Sequence, residues 1–249
     1  MITQSTSNIL KDSNWKMILY AKAGQGKTTS IQYLPGKTLL LDLDNSSKVL
    51  SGIPNIELYK FDNGTKEGRP FDREHPIEDM NTFLSDPDLK EISKKFNNVV
   101  IDNVSSLEKD WFVEMGRKSH NGISNEIQDY SQWTNYFARI VTTLYMIPNV
   151  NILITAWEQK IDNELESGQT FSQYAPDVRL KSLNGFLGLA DVVARLIVNP
   201  KTGNRGAMLE GNNTVYAKNR LDERTIAPIE EVFEFGKHKP VAKKKEGNE

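Results

Sequence analysis

Ala21-Lys22-Ala23-Gly24-Gln25-Gly26-Lys27-Thr28 is the stretch on which the reading of this chain turns. It fits the phosphate-loop pattern G-x-x-x-x-G-K-[ST], with Ala21 standing at the first glycine. The chemistry explains the spacing. Gly24 and Gly26 let the backbone wrap, so that consecutive N–H groups from Ala23 to Gln25 and on through Thr29 point at phosphate oxygens. A helix starting near Lys27 adds the positive end of its dipole. Lys27 reaches the β- and γ-phosphates, and the Thr28 hydroxyl binds Mg²⁺. The context is the one such a loop requires. Residues 15–20 read as a strand, and residues 27–34 read as a helix stopped by Pro35-Gly36. Ala21 is harmless there if it keeps an extended conformation.

Outward from the loop, apolar runs alternate with helical patterns, which argues for an α/β fold with a largely parallel sheet. Thr38–Asp42 and Asn98–Asp102 are buried strands ending in carboxylates, and residues 151–156 form another. Residues 56–61 read as a short strand and residues 76–95 as a polar helix. Tyr130, Trp133, Phe137, Ile140, Val141 and Leu144 recur at helical spacing and mark an amphipathic helix. Val192–Val198, residues 207–210 and residues 214–218 read as closing, antiparallel strands. The organisation expected is an N-terminal segment (1–14), one domain (15–235) and a charged tail (236–249) rich in Lys237, Lys239, Lys243, Lys244 and Lys245.

Asp102, at the end of an apolar strand, is placed to hold Mg²⁺; the bland alternative is a cap for the following helix. Asp44 projects beyond the Thr38–Asp42 strand, where ligands of open α/β sheets bind, and is the candidate general base. Its alternative role is turn formation before Asn45-Ser46. The chain has no cysteine, which excludes disulfides, thiolate catalysis and Cys-bound zinc, and its three histidines are far apart. There is no secretory leader and no apolar run approaching the ~20 residues that span a membrane, so a cytoplasmic protein is expected. A net charge of −2 means that any nucleic-acid contact needs a local basic surface.

Taken together, AKAGQGKTT, LLLDLD, VVIDNVSSL and the later DVVARLIV…YAKNRLDERT resemble the RecA-like core ATPases over residues 16–225. The order of the later segments resembles a phage-encoded subgroup, the Sak-type AAA-domain proteins associated with single-strand annealing and recombination. The resemblance implies a RecA-like core that binds ATP and Mg²⁺. The implied partners are single-stranded DNA, further copies of itself in a head-to-tail ring or filament, and a phage single-strand-binding protein. It implies Asp44 as catalytic base, although the family more often has glutamate there. The resemblance implies a polar γ-phosphate sensor where Trp157 stands, so the sensor is missing or has moved to Glu158 or Gln159. Lys218 and Arg220 match a Lys-x-Arg pair that reaches a neighbour's γ-phosphate, and alternating cations at a strand end project to one side. Two loops are implied for DNA. Residues 115–128 carry Arg117, Lys118 and His120; residues 160–181 carry Phe171 and Tyr174.

Other readings use the same loop. Lys22 matches the second lysine of the variant loop in chromosome-partitioning ATPases, though the Asp102 strand is not followed by their proline-containing switch. A small-molecule kinase needs an arginine-rich lid, and residues 160–181 hold only Arg179. A nucleotide-gated DNA-binding scaffold with little turnover is the third alternative.

Overall fold

The computed structural model describes residue 10, residues 13–164, residue 168 and residues 170–236. Most of the N-terminal segment and nearly all of the charged tail, with its lysines, lie outside the described residues.

The strands are β1 (Lys16–Ala21), β2 (Thr38–Asp42), β3 (Ile56–Leu58), β4 (Asn98–Asp102), β5 (Asn151–Glu164), β6 (Thr170–Pro176), β7 (Val192–Val198), β8 (Arg205–Met208), β9 (Lys218–Asn219) and β10 (Ile226–Pro228). The helices are α1 (Lys27–Ser30), α2 (Pro76–Ser85), α3 (Val104–Lys118), α4 (Ile127–Tyr145) and α5 (Leu180–Leu189). The sheet runs β10-β8-β7-β1-β5-β4-β2-β3, with β6 paired to β5 and β9 to β7. From β7 to β3 the path is parallel; β8, β9 and β10 are antiparallel additions. The α/β architecture is as expected: a mostly parallel sheet between helices, turning antiparallel toward the C-terminus.

The parallel strands bury both faces, so they read as continuous apolar runs. Ile18, Tyr20, Leu39, Leu41, Val99, Ile101, Ile152 and Ile154 share one face, packed by Phe83, Leu107, Trp111, Trp133, Phe137 and Phe186 of α2 to α5. Met17, Leu19, Ala21, Leu40, Val100 and Leu153 share the other, against Ile31, Leu34 and Phe233. Trp15, just before β1, stacks on Phe233 and meets Phe235 edge-on.

Several expectations are corrected. The helix over 76–95 breaks at Asp86, which is extended because Pro87 follows, and resumes as a 3₁₀ helix over Pro87–Lys94. The closing strands are displaced: β8 begins at Arg205, and β9 keeps only Lys218 and Asn219 because Asn212 folds the preceding residues into a turn on its side chain. Residues 160–181 are not a loop. β5 continues to Glu164, and the described residues beyond it return as β6 and lead into α5. Leu183, Phe186 and Leu187 bury one face of α5, while Gly185 and Gly188 weaken the helical signal in the sequence. Of residues 115–128, a loop spans 119–126 and holds His120, whereas Arg117 and Lys118 close α3 and α4 starts at Ile127.

Candidate nucleotide site

β1 carries the chain up to Ala21 in an extended, buried conformation, so the missing glycine leaves the loop undisturbed. Gly24 (φ 76°) and Gly26 (φ 97°) then adopt the left-handed backbone that only glycine takes without strain. Gly26 caps α1, which is a single α-helical turn followed by a 3₁₀ turn to Tyr33. That is shorter than expected, so the backbone N–H groups of the loop outweigh the helix dipole. Ala23 and Gly24 are exposed at the rim, Gln25, Thr28 and Thr29 are half-buried, and Lys27 is buried. The Lys27 ammonium donates to Ala21 O at 3.1 Å and Lys22 O at 3.2 Å. Burial holds its pKa below the ordinary lysine value, with Asp102, Asp44 and Glu158 opposing that shift.

Asp102 ends β4 in register with Asp42 of the neighbouring β2. It is 1% exposed. Its Oδ2 accepts from the Thr28 hydroxyl at 2.6 Å and from Ser46 at 3.4 Å, and Oδ1 accepts from the Thr155 hydroxyl. Burial pushes its pKa up to about 6 against the lowering by Thr155 and Thr28. The helix-capping role falls to Asn103 instead, whose Oδ1 accepts from Ser106 N at 2.8 Å. The Asn103 amide then donates to Asp44 Oδ2 at 2.5 Å, so one side chain joins helix cap and site. Among the described residues Asp44 Oδ1 is buried without a hydrogen-bond partner, and burial, opposed by nearby Ser46, raises the pKa of the group. The turn-forming aspartate is Asp42, which accepts from Ser46 N and Ser47 N at 3.0 Å each.

The oxygen donors around Thr28 suit a hard cation. Among the described residues no group of three or more His, Cys, Asp or Glu side chains forms a metal cage. The Asp102 carboxylate and the Thr28 and Ser46 hydroxyls fit Mg²⁺ of the kind that binds through a few protein oxygens plus phosphate oxygens.

Other expected positions are engaged elsewhere. Lys109 Nζ lies 4.0 Å from the centre of the Trp157 ring, and Gln159 donates to Pro176 O and Val178 O. Glu158 pairs with Arg195 at 2.6 Å and keeps a buried, unpartnered Oε1. Tyr174 is covered by the Arg195 guanidinium at 3.8 Å, so its ring is not free for a base. Lys118 pairs with Glu114. Lys218 and Arg220 lie beside the start of β7, at the opposite end of the sheet from the loop. The Lys218 ammonium donates to Leu187 O at 2.6 Å near the end of α5, whereas Arg220 is exposed. The sequence reading missed Thr155, Ser46, Asn103 and Arg205. Thr155 and Asn103 were visible as polar residues at the ends of apolar strands; Ser46 and Arg205 carried no such signal.

A glycine-bent loop after a central strand, its lysine buried at the mouth and its threonine on a strand-ending aspartate, defines a P-loop nucleotide-binding domain. The chain belongs to the family described as AAA domain, whose profile matches residues 13–221. No curated protein matches it. Among solved structures it is similar to one titled "Crystal structure of the RadB recombinase", at 15% identity and a TM-score of 0.46, covering 86% of this chain and 90% of that one. Among the described residues, no helix is long and apolar enough to cross a membrane.

Proposed function

We propose that the protein binds and hydrolyses ATP with Mg²⁺ and acts on single-stranded DNA in recombination or annealing. The observation that carries the nucleotide half is the 2.6 Å bond from Thr28 to Asp102, which joins the P-loop to a second strand's carboxylate. Lys27 supplies positive charge to the β- and γ-phosphates, and the backbone from Ala23 to Thr29 wraps them. Thr28 and Asp102 hold Mg²⁺, which supplies charge neutralisation on the phosphate oxygens when bound. Asp44 takes the proton of the attacking water on its unpartnered oxygen, while Asn103 fixes the other. Thr155 and Asn103 are positioning residues.

The DNA half rests on the sequence resemblance and on the β5–β6 hairpin, where Lys160 supplies charge and Phe171 is half-buried, Tyr174 being covered by Arg195 and Lys160. Arg117 and Lys118 in the last turn of α3 add positive charge, and His120 follows them in the loop. Arg220, and Lys218 on leaving its α5 carbonyls, complete a neighbour's site in a head-to-tail ring or filament. A phage single-strand-binding protein is the further partner in this reading. The deciding experiment measures ATPase rate with and without single-stranded DNA, together with DNA anisotropy at two salt concentrations. Turnover that DNA raises, and DNA affinity that falls with salt, support the proposal. Triphosphate binding without turnover turns it into a nucleotide-gated scaffold. Turnover lost in Lys22→Ala with no response to single strands turns it into a partition-type ATPase.

A further inference from the structure

The P-loop has two unlike flanks. β5, β4 and β2 lie on one side of β1 and bring Asp102, Asp44, Thr28 and Ser46 together. β7 and β8 lie on the other side, and their connecting turn rises beside the loop. That turn is internally braced: Asn199 N donates to Asn204 O at 2.8 Å, Gly203 N to Asn199 O at 2.8 Å, and Lys201 N to Asn199 Oδ1 at 2.9 Å. It delivers Arg205, the first residue of β8, onto the loop backbone. Arg205 Nε donates to Gln25 O at 3.1 Å across 180 residues of sequence. The fit is close: a Cβ added at Gly26 would stand 2.9 Å from that Nε.

The rest of the arginine is uncommitted. Arg205 is exposed, and its two Nη groups have no hydrogen bond among the described residues. It separates two cavities. One, of about 160 Å³, lies between Gly26, Thr29, Tyr33, Asn204 and Glu230. The other, of about 750 Å³, is lined by Ile197, Pro200 and Ile226 among others. A polyphosphate whose terminal group meets the carboxylate flank must send its other end out past this one.

We propose that Arg205 is a phosphate-binding residue acting in its own chain, closing the hairpin flank of the P-loop over the phosphates nearest the nucleoside. This rests on the nucleotide reading above. Nε keeps Gln25 O while the two Nη groups take phosphate oxygens, a forked geometry that lysine cannot reproduce. Because the contact is to the phosphates that ATP and ADP share, Arg205 does not sense the γ-phosphate.

The test is fluorescence anisotropy of N-methylanthraniloyl ATP and ADP, with Mg²⁺, on wild type, Arg205→Ala, Arg205→Lys and Lys27→Ala, each checked for an unchanged melting transition. Arg205→Ala is expected to weaken both nucleotides about tenfold, and Arg205→Lys to recover only part of that loss. Mixing Arg205→Ala with Lys27→Ala is expected to restore nothing, because the residue serves its own loop. Equal affinity of Arg205→Ala and wild type overturns the proposal. Loss of ATP affinity alone, with ADP unchanged, also overturns it, by moving the arginine to the γ-phosphate. Recovery in the mixture overturns action within one chain. Wild type that binds neither nucleotide overturns the P-loop reading, and Arg205 falls with it.

Discussion

The two ends of the sheet hold their cations differently. At the carboxyl end Lys27 is buried, fixed on two loop carbonyls and surrounded by Asp102 and Asp44. At the amino end Lys218 sits on the carbonyls of Leu187 and Gly188, and Arg220 is exposed beside Asp191. Arg220, level with Asp191 and Lys16, lies five residue steps of β1 from Ala21, about 16 Å at the rise of a strand, and Lys218, level with Ile18, lies three, about 10 Å. A cation at the amino end therefore cannot serve its own P-loop. In the proposed ring or filament, copies stacked head to tail would bring the two ends together. The difference teaches that the phosphate cradle is complete within one chain, whereas any charge supplied by Lys218 and Arg220 needs a neighbour.

The sharpest break of that contrast is Arg220→Ala. A finger in trans is worth on the order of 10³-fold in rate. The variant is expected to lose that much turnover while binding nucleotide, and to regain activity when mixed with Lys27→Ala. Wild-type turnover per subunit should then rise with protein concentration. Turnover independent of concentration, with a mixture as inactive as its components, leaves Arg220 a surface cation. Lys218→Ala is expected to cost less, since its ammonium already caps α5.

At the other end, Lys27→Ala is expected to reduce turnover by about 10²- to 10³-fold, as removal of a transition-state charge does. Asp44→Asn should lower kcat by about 10²-fold with little change in nucleotide affinity. Equal losses in affinity and rate for Asp44→Asn would make it a binding group rather than the base.

The smallest effect concerns Asp102. Its folded pKa, about 6, lies above the ordinary aspartate value because of burial. Without metal, its contribution to stability is present below about pH 4 and is lost as pH rises through about 6. Mg²⁺ and triphosphate need the anion, so their affinity should fall as pH drops through about 6. Thr155→Val removes a bond that favours the anion. It should move that midpoint upward and cost about 1–3 kcal/mol in stability. A pH titration of Mg-nucleotide affinity reads the first effect and thermal denaturation the second. An unmoved midpoint would detach Thr155 from the site.

Much of this molecule was legible in its sequence because the informative elements are buried on both faces. β2, β4 and the first half of β5 read as apolar runs with a polar end, and the P-loop has a fixed spacing. The outer half of β5 was not legible: Glu158, Lys160 and Asp162 look like loop residues, and only pairing with β6 makes them a strand. The roles of neighbouring aspartates were only partly legible. On paper Asp44 reads as base or as turn former, and the structure gives the turn to Asp42, which accepts from Ser46 N and Ser47 N. Arg205 was invisible, because what matters is its position against Gly26 and not any local pattern. Asn103 shows the same limit, since its two bonds run to different elements.

The place of β1 at the centre of the sheet has a consequence for biosynthesis. Its two neighbours are β5 and β7; Trp15, just before it, bonds Asn151 of β5 across 136 residues, and Lys16 bonds Asp191, just before β7, across 175. Its entry is clasped by Trp15 against Phe233 and Phe235. A chain emerging from the ribosome thus exposes its phosphate loop well before either strand that flanks β1 has been made. Contacts so distant in sequence form slowly. Until they form, the apolar strand that precedes the loop is open to pairing with other chains, and the protein is most exposed to misassembly then.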